Sequence, residues 1–259
     1  MTGNRFAGLS CVDAKSVLTA VGVLVDGTLP DDAAARATGA QSTGPALLTG
    51  SGIIGGFSAK IALHGVASIG NRSAGIAIST TDTATIVGAL VRETTANPHG
   101  RGGSGGVFES CSGHPLLLAS RLQTNQSAAV YTHLSNAKID GCVLLDTHKA
   151  SVPKVNASGQ LTGEVAKFAD GLAAFASAGV RLLRSVVLGN SRAGVLASSC
   201  SDFDVANSLV SGGYYGLVLD NTPKLLLAGA ILKGTGFALV ADVGLEVPAP
   251  PTLVKLSLE

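Results

Sequence analysis

The sequence predicts an all-β fold, a parallel β-solenoid of about eight to nine coils, and three observations predict it. The first is composition. Among 259 residues, 34 are glycine, 46% are hydrophobic, 4% are aromatic and none is tryptophan. Small and aliphatic side chains in that proportion fill a narrow core and rule out intrinsic disorder. The second is a recurring unit. Asn4-Arg5-Phe6-Ala7-Gly8 matches Asn71-Arg72-Ser73-Ala74-Gly75 and Asn190-Ser191-Arg192-Ala193-Gly194, and Asn125-Gln126-Ser127-Ala128-Ala129 differs in its last residue. The third is spacing. The steps from Gly106 to Ala129, Gly171 to Gly194, Gly194 to Gly216 and Gly216 to Gly236 are 20 to 23 residues, the length of one solenoid turn.

Each turn reads in the same order. After the anchor comes a short apolar alternation, as at Leu9 and Cys11 or Ile76 and Ile78, the period-2 signature of a strand. A polar stretch follows, holding Asp13, Asp82, Asn136 or Asp202, and then a second apolar segment leads to Gly22, Gly88, Gly141 or Asn207. Leucine-rich repeats share this period but need a fixed leucine consensus, which does not recur. Helical repeats need longer periods and a 3.6-residue pattern that the glycine-rich stretch 208–219 could not support. Asparagines at matching bends tolerate left-handed backbone and hydrogen-bond along a stack, so Asn4, Asn71, Asn125 and Asn190 read as a bend ladder. The solenoid is expected over residues 1–241, with 242–259 as a tail or cap containing Pro248, Pro250 and Pro251.

On these Asn-x-x-Ala-Gly units, and on segments such as Ser185–Leu196 and Ser208–Leu219, the chain resembles the right-handed parallel β-helix superfamily with the pectin-lyase-like fold. The Val91-Arg92-Glu93-Thr94 to Val107 segment is also similar to repeats of large surface β-helix proteins of myxobacteria. The resemblance implies an extracellular or cell-surface protein of bacterial type. It also implies further β-helix stacked end to end, and a polysaccharide or other cell-surface component as partner. A net charge of +1 argues against nucleic acid, and no apolar run is long enough to insert in a membrane.

Insertions interrupt the period after one local sequence. Gly8 to Gly44 spans 36 residues, Gly75 to Gly106 spans 31 and Ala129 to Gly171 spans 42, with the excess following Asp26-Gly27-Thr28, Glu93-Thr94 and Asp146-Thr147. A further excess falls near 52–64. Insertions at one point of a repeat emerge on one face, often the binding face. Asp26, Glu93 and Asp146 are expected to stack as an acidic column at the loop roots. That column suits a groove for a sugar chain, or equally bends whose carboxylates accept backbone hydrogen bonds. The loops add Asp31, Asp32, Asn97, His99, Arg101, His148, Lys149 and Lys154, and 163–169 is expected as a short helix. Tyr214 and Tyr215 suit either packing under the next coil or a ring platform of the kind that receives sugars.

Against enzymes of the resembled fold, the pattern is depleted. Pectate lyases cluster aspartates on one sheet around calcium, whereas Asp13, Asp82, Asp202 and Asp220 fall at different offsets here; no cofactor or metal is expected, calcium being compatible with the resemblance but not indicated by the residues. Asn97-Pro98-His99-Gly100 is similar to the Asp-Pro-His-Asp of mannuronan epimerases with both carboxylates replaced. The sequence-level expectation is therefore a non-catalytic carbohydrate-binding module. The alternatives are a polysaccharide lyase, hydrolase or epimerase working with Asp26, Glu93, His99, Arg101, Asp146 and His148, and a purely structural spacer. Cys11, Cys111, Cys142 and Cys200 are expected as free, mostly core thiols, because the register separates them beyond disulfide reach.

Overall fold

The computed structural model describes residues 2, 4–29, 50–97, 102–155 and 161–241, with backbone alone over 151–155 and 161–167. Every complete coil contributes one strand to each of three parallel sheets. Coil 1 is β1 (Ala7–Cys11), β2 (Val17–Val21) and β3 (Leu24–Asp26). Coil 2 is β4 (Ser51–Gly56), β5 (Lys60–His64) and β6 (Ala67–Ile69); coil 3 is β7 (Ala74–Ser79), β8 (Thr83–Val87) and β9 (Leu90–Arg92). Coil 4 is β10 (Ser104–Glu109), β11 (Leu116–Leu118) and β12 (Arg121–Gln123); coil 5 is β13 (Ser127–His133), β14 (Lys138–Asp140) and β15 (Val143–Leu145). An extra strand, β16 (Ala150–Val155), precedes coil 6, which is β17 (Leu161–Phe175), β18 (Val180–Leu183) and β19 (Val186–Asn190). Coil 7 is β20 (Ala193–Ser198), β21 (Phe203–Ala206) and β22 (Leu209–Gly212); coil 8 is β23 (Tyr215–Asp220), β24 (Leu225–Ala228) and β25 (Ile231–Lys233). The sheet I strand β26 (Phe237–Ala241) begins a ninth. Sheet I holds the first strand of each coil, sheet II the second and sheet III the third. The chain is a parallel β-helix.

The core is a stack of aliphatic columns. In sheet I, Ile53, Ile76, Val130, Leu172, Val195 and Leu217 all lie buried at one register position. Each such side chain contributes about 1.5–3 kcal/mol when withdrawn from water. One position earlier stand the anchors, and the register shows why they are glycine. A Cβ at Gly75 would run into Val91 of sheet III and come within 2.7 Å of the Gly105 carbonyl oxygen. Register also corrects three anchors. Coil 2 is anchored by Gly52 rather than Gly44, so 52–64 is ordinary coil and the excess lies between Leu29 and Gly50. Coil 4 is anchored by Gly105, and the ninth strand by Ala238 instead of Gly236.

All three corners turn through left-handed residues. Between sheets II and III these are mostly glycine (Gly22, Gly65, Gly88, Gly141, Gly229), with Asn207 among the exceptions, as the repeated small residues imply. Between sheets I and II they are Phe57, Ser58, Thr80, Ser110, Leu134, Ala176, Ser199 and Asn221. A non-glycine residue there costs about 1–3 kcal/mol unless its surroundings hold it. Interstrand bonds do so: the amides of Thr80, Ser110, Leu134 and Ala176 each donate to a carbonyl of the next coil.

Inside the corners, small polar side chains form ladders, and the cysteines are rungs of them. The Cys111 amide donates to Ser135 Oγ at 3.0 Å, the Cys142 amide to Ser185 Oγ at 3.0 Å and the Cys200 amide to Thr222 Oγ1 at 3.3 Å. All four cysteines are free, and all but Cys11 are buried. Burial pushes the Cys142 thiol up to about 11 and raises Cys111 and Cys200 as well.

Candidate functional site

The third corner, from sheet III back to sheet I, carries the insertions. Its inward position reads Asn4, Thr28, Asn71, Thr94, Asn125, Thr147 and Asn190 on successive coils. The asparagines therefore stack on alternate coils, with threonines between them. Asn71 Oδ1 accepts the Thr28 amide at 3.0 Å, Asn125 Oδ1 the Thr94 amide at 3.1 Å and Asn190 Oδ1 the Thr147 amide at 3.1 Å. Where asparagine sits the chain proceeds directly into the next coil; after each threonine it inserts residues. All three insertions leave this one corner, on coils 1, 3 and 5, with roots about 10 Å apart at twice the strand spacing.

The acidic column is only partly in register. Glu93 and Asp146 share the left-handed position just before the threonine, two coils apart. Asp26 falls one residue earlier, at the end of β3, because Gly27 takes the left-handed turn. Glu93 is exposed and pairs with Arg92 at 3.6 Å. Asp146 is exposed and lies over Gly189 of the next coil, in space a side chain would fill. His148 and Lys149 follow on the surface, and Asn97 is buried. Asp31, Asp32, His99 and Arg101 lie outside the described residues, and of Lys154 the backbone alone is described. The expected helix at 163–169 is instead strand: β16 and the first half of β17 pair antiparallel as a hairpin.

A second cluster, which the spacing in sequence conceals, stands on the outer face of sheet I and its adjoining corner. Tyr131 on coil 5 meets Phe175 on coil 6 with ring centroids 5.6 Å apart, and Phe175 meets Phe168 edge-on at 6.2 Å. The Arg192 guanidinium sits 4.9 Å above the Phe168 ring. One coil further, Tyr214 and Tyr215 pack edge to face at 4.7 Å, and Tyr215 stacks on Phe237 at 6.1 Å and 17°. The three tyrosines and Phe168, Phe175 and Phe237 make six of the ten aromatic residues of the chain. They form a belt crossing coils 5 to 9, about 19 Å along the axis at four strand spacings. Tyr214 and Phe237 are half exposed, at 51% and 50%.

Polar groups edge the belt. Arg192 grips Asp170 with both ends of its guanidinium, Nε to Oδ1 at 2.8 Å and Nη2 to Oδ2. Asp170 is fully buried, and burial raises its carboxyl above the ordinary range while Arg192 pulls it back. Glu109, His133, Phe175, Ser198 and Asp220 stand side by side at one outward position, with Glu109 Oε1 3.7 Å from His133 Nδ1. Burial, and then the Glu109 charge, push the Tyr131 hydroxyl up to about 12, so it remains a hydrogen-bond donor at physiological pH.

Most other carboxylates serve the framework. Asp140 is held by Arg184 at 2.8 and 2.6 Å and by Lys138 at 3.3 Å, and the Arg184 bonds draw its carboxyl below the usual range. Asp204 pairs with Arg181 at 3.4 Å, Asp82 accepts from Ser112, and Asp202 accepts the Gly179 amide. Among the described residues, no three histidine, cysteine, aspartate or glutamate side chains converge as a metal site. Compared with known proteins, the chain matches no protein-family model, no curated protein and no solved structure.

Proposed function

We propose that the chain is a carbohydrate-binding module built on a right-handed, pectin-lyase-like β-helix and displayed outside the cell, holding its ligand on the aromatic belt without turning it over. The observation that carries this reading is the gathering of six of ten aromatic side chains on one outer face. Aromatic rings offer a flat apolar surface with polar partners at the edge, which suits the C–H faces and hydroxyls of a pyranose. In this reading Tyr214 and Tyr215 act in company with Tyr131, Phe168, Phe175 and Phe237 rather than with the acidic corner. The reading without turnover is supported by the employment of Asp140, Asp170 and Asp204 in ion pairs with arginine.

A second reading, a hydrolase at the insertion corner, draws on Glu93 and Asp146. Their backbones are about 10 Å apart, close to the carboxyl separation of about 6.5–9.5 Å used by inverting glycosidases. A panel of soluble plant and bacterial polysaccharides separates the readings. The chain is expected to bind without releasing reducing ends or unsaturated sugars. Turnover selects the hydrolase or lyase reading, and neither binding nor turnover leaves a structural spacer.

A further inference from the structure

The charges bordering the belt point to the class of glycan. Its one arginine among the described residues is already committed: Arg192 spends both donor edges on the buried Asp170. The outward column that runs through Phe175 carries two carboxylates, Glu109 and Asp220. Glu109 faces His133 at 3.7 Å, and Asp220 accepts from Ser198 at 2.7 Å. A polyuronate laid on these rings would bring its carboxylates toward Glu109 and Asp220. Like charges so placed weaken binding. An uncharged chain meets ring faces, the Tyr131 hydroxyl, and carboxylates that accept hydrogen bonds from sugar hydroxyls.

Geometry adds a length requirement. The rings form two groups, Tyr131 with Phe168 and Phe175 on coils 5 and 6, and Tyr214 with Tyr215 and Phe237 on coils 8 and 9. Coil 7 lies between them and contributes Leu196 and Ser198 outward at sheet I. Short sugars can occupy one group; a longer chain engages both, and the second engagement is then intramolecular.

Resting on the glycan-binding reading above, we propose that the ligand is an uncharged polysaccharide chain bound at two ring subsites at once. The test is calorimetric titration of the full chain with β-1,4-glucan and β-1,4-mannan oligomers of increasing length, and with oligogalacturonates of the same lengths. Affinity for a neutral series should climb steeply once the oligomer spans about 22 Å, the axial rise of about 19 Å combined with about 10 Å along the strands between Tyr131 and Phe237, and stay unchanged from low to high salt. Tyr131→Ala and Phe237→Ala should each lower affinity for the long neutral oligomer about tenfold, as for a ring at the centre of a contact, leaving shorter oligomers bound at the intact group. Circular dichroism of both variants should match the parent. Tighter, salt-sensitive binding of the oligogalacturonate, abolished by the same substitutions, overturns the neutral-chain proposal while the belt remains a glycan site. Neutral binding that does not grow with length overturns the two-subsite arrangement. No binding of any oligomer removes the glycan reading itself, and the proposal with it.

Discussion

Replacing Arg192 with alanine strips the counter-charge from a fully buried carboxylate, and the expected loss can be worked from the structure. Asp170 has no exposure, and both its oxygens bond to the guanidinium. At pH 7 the orphaned carboxyl either stays charged in the interior or takes up a proton. Protonation sets the ceiling: for a carboxyl with an unfolded-state pKa of about 3.9, it costs about 4 kcal/mol at pH 7. Removing one partner of a buried pair ordinarily costs about 3–5 kcal/mol, so the two routes agree. Losing the guanidinium over Phe168 adds about 0.5–1 kcal/mol. The pH dependence is diagnostic. Burial already raises this carboxyl in the folded state, and without Arg192 it rises further. A carboxyl raised on folding favours the folded state below its unfolded pKa and loses that contribution as pH climbs through the folded value. The variant should therefore run parallel to the parent up to the parent's own raised folded value and fall away from it by about 1.4 kcal/mol per pH unit above that, until Asp170 ionises in the variant. Urea unfolding followed by circular dichroism between pH 4 and 8 measures this. The double variant Asp170→Asn/Arg192→Ala, with no buried charge, should recover most of the loss at pH 7. A loss below about 1 kcal/mol, or one that is flat with pH, refutes the buried-pair reasoning.

Two further outcomes follow from the corners. Asn125→Ala leaves the buried Thr94 amide without its acceptor and should cost about 1–3 kcal/mol by urea unfolding. The same substitution at exposed Asn221, whose side chain bonds at 3.4 Å, should cost far less. In native protein at pH 7.5, Cys111, Cys142 and Cys200 should react slowly with maleimide while the partly exposed Cys11 reacts first, because burial raises those three thiols and the thiolate is the nucleophile. Four thiols should react after denaturation without reductant, and Cys142→Ser should change stability by less than about 1 kcal/mol, because serine occupies the adjacent rungs at 120 and 185.

Much of the fold is legible in the sequence because a solenoid writes its register locally. Glycine recurs where a Cβ would strike sheet III, and asparagine recurs where an amide of the neighbouring coil needs an acceptor. Errors arise where an insertion hides the register. Gly44 imitates an anchor, yet Gly52 stands in line with Gly8 and Gly75, and moving the anchor turns the apparent excess at 52–64 into two ordinary strands. Asp26 shows how one residue matters: Gly27 takes the turn that Glu93 and Asp146 take themselves, so Asp26 leaves their column. The belt was beyond such reading. Its residues are spread from 131 to 237 and meet only because the chain advances about 4.8 Å per coil, while the hairpin before coil 6 delivers Phe168 beside Phe175. Sequence neighbours Tyr214 and Tyr215 were visible as a pair; their alignment with Phe237 needed the register of the ninth strand.

The most direct test of the account compares two variants in one binding assay against a soluble polysaccharide that the parent chain retains in affinity electrophoresis. Tyr131→Ala/Tyr214→Ala/Phe237→Ala removes rings from both groups of the belt, and Glu93→Gln/Asp146→Asn neutralises the insertion corner while leaving the belt intact. The ring variant should migrate as though no polysaccharide were present, and the corner variant should be retarded like the parent. Retention of the ring variant together with release of the corner variant would place the site among the insertions and contradict the belt.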